Sequence, residues 1–175
     1  MKKPIIVRPA TEDDLDAVAR INSRVFLGNR DDYDAALQWV RCCYRSYPIV
    51  QYFCSIQDNR VAGYCSWKIH GGLRRPSPAI ELVELGVDPD IQARGHGTAL
   101  TNFGLEAMAR WTASNNRRIE SQITFIVWCY ASNLNAIKVY VNTFGEGAGF
   151  RIQHEGRTEV AYRKTVSLVL QDRDE

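Results

Sequence analysis

Residues 123–131 read ITFIVWCYA, a run of nearly unbroken apolar character. At strand length, such a run suits a strand buried on both faces, as in a sheet that carries helices on each side. The rest of the chain supplies those helices. Residues 5–10 (IIVRPA) open as a short strand. Thr11 then precedes Glu12-Asp13-Asp14, a cap and acidic first turn suited to a helix start. Leu15, Val18, Ala19, Ile21, Val25 and Phe26 recur at helical spacing, and Gly28-Asn29 ends that helix. A second helix runs from Asp31 to about Tyr47, with Leu37, Val40 and Tyr44 on one face and Pro48 as its stop. Residues 49–57 and 60–69 are rich in β-branched and aromatic residues, and Asp58-Asn59 joins them as a hairpin. Residues 71–78 form a loop and 79–87 a strand. A helix from Thr98 to about Ser114 spaces Ala99, Phe103, Ala107 and Trp111 four apart. Asn133 starts the last helix, through about Asn142, and residues 150–153 and 158–170 supply the final strands. The order β-α-α-β-β-β-α-β-α-β-β predicts one α/β domain over residues 1–175 with a mixed sheet.

Composition narrows the function classes. With 24% charged residues and a formal net charge of +2, the chain lacks the basic excess of a nucleic-acid or anionic-membrane binder. Glu81, Glu84 and the Asp31, Asp32, Asp34 cluster interrupt any basic face. No apolar run approaches the ~18 residues of a membrane span. The opening MKKPIIVRPA reaches Arg8 too soon for a signal peptide, so a cytoplasmic location is the expectation. The five cysteines (Cys42, Cys43, Cys54, Cys65 and Cys129) are odd in number and show no C-x-x-C, which favours free thiols. His70, His96 and His154 are scattered, and no metal site is predicted.

The densest chemistry lies where a strand meets a helix. The strand ends at Val87, Asp88-Pro89-Asp90 turns the chain, and Gly95-His96-Gly97 leads directly into a helix. A helix N-terminus offers unpaired N–H groups and partial positive charge, and glycines let a phosphate approach the backbone. Gln92, Ala93, Arg94, His96 and Thr98 would contribute amides around Gly95 and Gly97, and Arg94 a charge. A plain tight turn remains the other reading. Two named phosphate loops are excluded. The dinucleotide fingerprint needs a third glycine where Leu100 stands, and the P-loop needs Gly-Lys-Ser/Thr.

Gln92-Ala93-Arg94-Gly95-His96-Gly97 resembles the Gln/Arg-x-x-Gly-x-Gly/Ala motif of GNAT-type acyl-CoA-dependent N-acyltransferases. The entry ELGVDPDI, the downstream ASNLNAIKVY and the opening IIVRPATEDDLDAVARI also resemble that family, in the family's order. The segment VNTFGEGAGF departs from it as an insertion between Tyr140 and Phe150. The resemblance implies a single GNAT-like domain. Its sheet would be mixed and mostly antiparallel, with splayed central strands and helices on both faces. It implies acetyl-CoA, or another short acyl-CoA, as co-substrate, and a small-molecule, peptide or protein amine as acceptor. A homodimer stays open as the assembly.

Within that resemblance, backbone at Leu85 and Val87 would hold the pantetheine on one side, and Asn133 and Ala136 would line the other. Asn133 serves equally as a plain helix cap. The amine needs a base, and Glu84 and Glu81 stand in the entering strand. Three positions apart, they point to opposite faces of a regular strand unless a bulge intervenes. Burial of Glu84 between Val83 and Leu85 would raise its pKa, and Glu81 is the alternative. Either carboxylate is otherwise a partner for Arg74, Arg75 or another surface cation. Tyr140 would protonate the leaving thiolate, or else pack in the core with Ile137 and Phe144. The activity implied is N-acetyl transfer by direct attack. A non-catalytic acyl-CoA-binding module of the same fold is the alternative.

Overall fold

A computed structural model describes residues 4–26, 32–72, 75–116, 122–146, 149–154 and 156–167. In chain order the elements are β1 (Ile6–Pro9), α1 (Leu15–Phe26), α2 (Tyr33–Tyr44), β2 (Val50–Gln57), β3 (Arg60–His70), β4 (Ala79–Val87), α3 (His96–Asn115), β5 (Gln122–Tyr130), α4 (Leu134–Phe144), β6 (Gly149–His154) and β7 (Arg157–Ser167). The strands form one mixed sheet of order β1-β2-β3-β4-β5-β7-β6. Among the described residues only β4 and β5 pair in parallel. This is the α/β architecture that the pattern predicts. Gly28, Asn29, Asp31 and Arg74 lie outside the described residues.

Local chemistry explains several junctions. Asp58 and Asn59 both take positive φ, the conformation of a two-residue hairpin turn, and asparagine and aspartate tolerate it. The Asp32 side chain accepts from the Ala35 N–H at 3.1 Å and caps α2. Asp14 is buried at the start of α1. Its carboxylate accepts the Arg8 guanidinium at 2.6 and 2.9 Å and the Thr11 N–H at 2.8 Å, which ties α1 to β1. Those bonds hold the Asp14 pKa below its usual value, with the Arg8 hydrogen bond the largest cause.

The sheet divides two cores. On one face, Leu15, Val18 and Ile21 of α1 and Val40 of α2 pack on Tyr52 and Tyr64. On the other, Leu100 and Met108 of α3 pack with Trp67, Ile80, Phe125 and Tyr162. A Cβ at Gly104 would collide with the Trp67 indole, so α3 lays bare backbone on that ring. Cys54 and Cys65 are buried free thiols, and burial pushes the Cys54 thiol up to about 12.

One expectation fails. β5 is not buried on both faces. Ile123, Phe125 and Val127 are fully buried, whereas Trp128 and Tyr130 are exposed on the opposite face. The apolar run therefore contains a core side and, at its C-terminal end, an open aromatic side.

Candidate active site

Two irregularities in β4 shape the cleft. Its pairing with β5 covers only Ala79–Leu82 against Thr124–Val127, after which the strands part. Its pairing with β3 also slips. Ser66 lies opposite Glu84 and Trp67 opposite Leu82, so Val83 is an extra residue, a β-bulge. The bulge resets the alternation. Leu82 and Leu85 both join the α3–α4 core, while Glu81, opposite Lys68, and Glu84, opposite Ser66, share the α1–α2 face. The opposite-face reading for the two glutamates holds for a regular strand, and this strand is not regular.

Where β4 and β5 part, a cavity of ≈ 880 Å³ opens. Leu85, Val87, Gln92, Ala93, Gly95, His96, Gly97, Thr98, Asn133, Ala136 and Tyr140 all line it. Arg94 is exposed beside it and does not belong to the lining. The Asp88 N–H donates to Ala62 O on β3, so strand alternation turns the backbone groups of Val87 and Leu85 toward the gap. The Val87 carbonyl accepts the Gln92 side chain at 3.2 Å, which folds the loop back on the strand.

The two glycines of the loop serve different ends. Gly95 caps α3 with φ +98°, and a Cβ there would find only Ile5 nearby, at 3.6 Å. Its conformation, rather than crowding, favours glycine. Gly97 is helical, and its Cβ would stand 3.2 Å from Val139 of α4. Its role in packing is close approach between α3 and α4. The first intrahelical bond runs from the Ala99 N–H to Gly95 O, so the amides of His96, Gly97 and Thr98 lack helical acceptors. The His96 ring is buried away from them, at 3.1 Å from Ser55 Oγ and 2.9 Å from Gln57 Oε1. Burial first, and Arg94 second, hold its pKa below the usual value and keep it neutral at pH 7.

On the opposite wall, Asn133 accepts the Ala136 N–H at 3.1 Å. Asn133 is thus a helix cap and a cavity residue at once, and the Ala136 amide is already engaged. Tyr140 is buried on α4, edge-on to Phe144 and tilted against Tyr162. Its hydroxyl makes no hydrogen bond among the described residues. Burial, the largest cause, raises its pKa well above the usual value. The segment after Tyr140 leaves the helix regular as far as Phe144, and Gly145 at φ +94° closes it.

Glu84 stands outside the cavity lining, between Val83 and Leu85, which belong to it. It is not enclosed by apolar groups. Its Oε1 accepts Asn22 Nδ2 at 3.0 Å and Trp39 Nε1 at 2.8 Å; its Oε2 accepts the Tyr52 hydroxyl at 3.2 Å and Ser66 Oγ at 3.4 Å. Asn22 also donates to the Tyr64 hydroxyl at 2.7 Å. All four donors to Glu84 are neutral, and it makes no ion pair among the described residues. Burial first, and the Glu84 charge second, push the Tyr52 and Tyr64 phenols far up, so both stay protonated as donors or acceptors. Glu81 sits instead 2.6 Å from His70 Nε2, and Arg75 is not its partner among the described residues; Arg74 lies outside them. The sequence reading missed Asn22, Trp39, Tyr52 and Ser66. Trp39 alone carried a signal: it lies off the Leu37, Val40, Tyr44 face of its helix.

The sequence profile described as Acetyltransferase (GNAT) family matches residues 15–145. The Mycothiol acetyltransferase of Clavibacter michiganensis subsp. michiganensis (strain NCPPB 382) is 33% identical over 108 residues, covering 57% of this chain and 31% of that protein. The match thus spans about a third of that curated relative's length. A solved Desulfovibrio desulfuricans protein assigned to the GNAT acetyltransferases superposes with a TM-score of 0.64 at 16% identity, covering 91% of this chain and 98% of that one. Arabidopsis thaliana NAA60 in complex with acetyl-CoA gives a TM-score of 0.61 at 13% identity, covering 93% and 99%. At such identities the structural likeness speaks for the fold.

Proposed function

We propose, on the premise that this chain belongs to the Acetyltransferase (GNAT) family, that it transfers an acetyl group from acetyl-CoA to a primary amine by direct attack. The observation that carries this reading is the parting of two parallel strands beside a glycine-capped helix N-terminus. The residues fit the donor. Free first-turn amides at His96, Gly97 and Thr98 suit a pyrophosphate. The edge of β4 at Leu85 and Val87, beyond the last residues paired with β5, suits the amide-bearing pantetheine arm, and the ≈ 880 Å³ cavity has room for it. The complex of the Arabidopsis protein with acetyl-CoA supports the same donor.

The acceptor approaches from the α1–α2 side, where Glu84 lies. An alkylamine with pKa ~10.4 spends ~4.6 kcal/mol to lose its proton at pH 7. Glu84 takes that proton, directly or through water, and its four neutral donors fix the carboxylate for the task. The amine nitrogen then forms a bond to the thioester carbonyl carbon, and the C–S bond breaks. The sulfur leaves with the electron pair and takes a proton from Tyr140. An unperturbed phenol is a weaker acid than a thiol by ~2 kcal/mol, and burial of Tyr140 widens that gap. The phenol therefore serves by hydrogen-bonding to sulfur as charge develops, with transfer only as the bond breaks. The products are an N-acetylamine and free CoA.

Thiol release from acetyl-CoA, followed across a panel of primary amines, tests this reading. Release that depends on the amine is the expected result. Tight acetyl-CoA binding without release for any amine would leave a binding module of the same fold.

A further inference from the structure

The open face of the sheet carries a feature that acyl transfer as such does not require. Trp128 of β5, Ala161 of β7 and Phe150 of β6 lie side by side in one cross-strand row. The Trp128 and Phe150 rings meet edge to face at 5.7 Å, and Ala161 between them is fully buried. Yet Trp128 is 38% and Phe150 46% exposed. Small Ala161 lets the two large rings close over it as a shelf. The shelf is continuous with the cleft, since Trp128, Tyr130 and Val83 line the same cavity as Gly95 and Gly97. Across the gap, Trp39 is 52% exposed, and its indole N–H holds Glu84. The face is thus the side on which Glu84 lies.

We propose that this shelf is the acceptor subsite, and that it selects amines borne on a flat apolar or aromatic body. The inference rests on the acyl-transfer reading above and names its acceptor class. The charge pattern favours one cationic end and an uncharged remainder. Glu84 meets only neutral donors, so an ammonium brings it its first cation. Beyond it the other acids already have neighbours: Glu81, on the same face, sits 2.6 Å from His70 Nε2. Glu159, which also lines the cavity, lies opposite Tyr130, whose ring carries Arg157 at 5.4 Å, and in the row on the other side of Trp128 exposed Arg163 stands opposite Ile126. A polyamine or an aminoglycoside, with several cations, meets Arg157 and Arg163 beside those carboxylates. A phenyl or indole ring, in contrast, stacks on Trp128 and Phe150 at the offset or edge-on geometries that aromatic pairs prefer.

The test compares 2-phenylethylamine and tryptamine with n-butylamine, spermidine and kanamycin, using acetyl-CoA and thiol detection. We expect kcat/KM for the aromatic amines to exceed that for n-butylamine by about tenfold or more, the size a few apolar contacts confer. Trp128→Ala should bring the aromatic and aliphatic amines within about threefold of each other, and Trp128→Phe should restore most of the preference. Trp128 is partly exposed, and melting curves of both variants are to check that they fold. Spermidine or kanamycin preferred over the aromatic amines overturns the inference and leaves acyl transfer standing. No thiol release with any amine overturns both. Loss of a dimer in sedimentation on Trp128→Ala, with the amine preference intact, makes the shelf a contact between copies and also overturns it.

Discussion

On the α3–α4 side of the sheet, the cleft is made of backbone. Gly95 turns the chain, Gly97 lets α3 approach α4, and the first amides of α3 face the cavity. On the α1–α2 side it is made of side chains. Glu84 of β4 is held by Asn22 of α1, Trp39 of α2, Tyr52 of β2 and Ser66 of β3. A backbone site depends on residues adjacent in the chain. A side-chain site depends on residues that only the completed sheet and helices bring together. The first should fail all at once when the backbone is obstructed, whereas the second should weaken by steps as single donors are removed.

The largest effect is expected at Gly97→Glu. The new side chain meets Val139 at its first carbon and adds a bulky anion beside the first-turn amides. Calorimetry on the folded variant should detect no acetyl-CoA binding. Unchanged affinity would separate the loop from the phosphate. Tyr140→Phe comes next. It keeps the ring contacts with Phe144 and Tyr162 and removes only the hydroxyl. We expect kcat to fall by ~10²–10⁴, with acetyl-CoA affinity and melting temperature nearly unchanged. Full kcat, with chemistry shown to limit the rate, would make Tyr140 a core residue.

Glu84→Gln moves the comparison to the side-chain half. A fall in kcat of ~10² and loss of the acidic limb of the pH–rate profile are expected, with the acetyl-CoA dissociation constant unaltered. Glu81→Gln should have the smaller effect, because Glu81 is engaged by His70. The reverse ranking would move the base to Glu81.

Two smaller effects probe the supports of that half. Asp14 anchors α1, which carries Asn22. Its folded pKa lies below the usual value, so the stabilisation it gives is complete above about pH 4. That stabilisation is lost as the pH falls from there through the lower folded value. Asp14→Asn should therefore cost about 1–2 kcal/mol at pH 7, since Arg8 is partly solvent-screened, and the gap from wild type should close in acid. Denaturant melts at pH 7 and pH 3 measure it, and a gap independent of pH would remove Asp14 as its source. Trp39→Phe deletes one neutral donor to Glu84. A loss of ~3- to 10-fold in kcat/KM for the amine, at constant acetyl-CoA affinity, follows from the usual worth of such a bond.

The order of strands and helices was legible in the sequence because hydrophobic period and turn residues act over a few positions. Asp58-Asn59 and the glycine-bearing junction at 95–97 both work through neighbouring backbone, and each lies where the pattern put it, whereas the second helix starts at Tyr33 behind an Asp32 cap and not at Asp31. Three things were decided only in three dimensions. The bulge at Val83 placed both glutamates on one face, and it exists because β4 slips its register against β3. The donors to Glu84 come from positions 18 to 62 residues away, and no local pattern joins them. The run ITFIVWCYA read as buried throughout, because hydrophobicity measures what a residue gains by leaving water and not whether a neighbour covers it. The sheet covered Ile123, Phe125 and Val127 and left Trp128 and Tyr130 open beside the cleft.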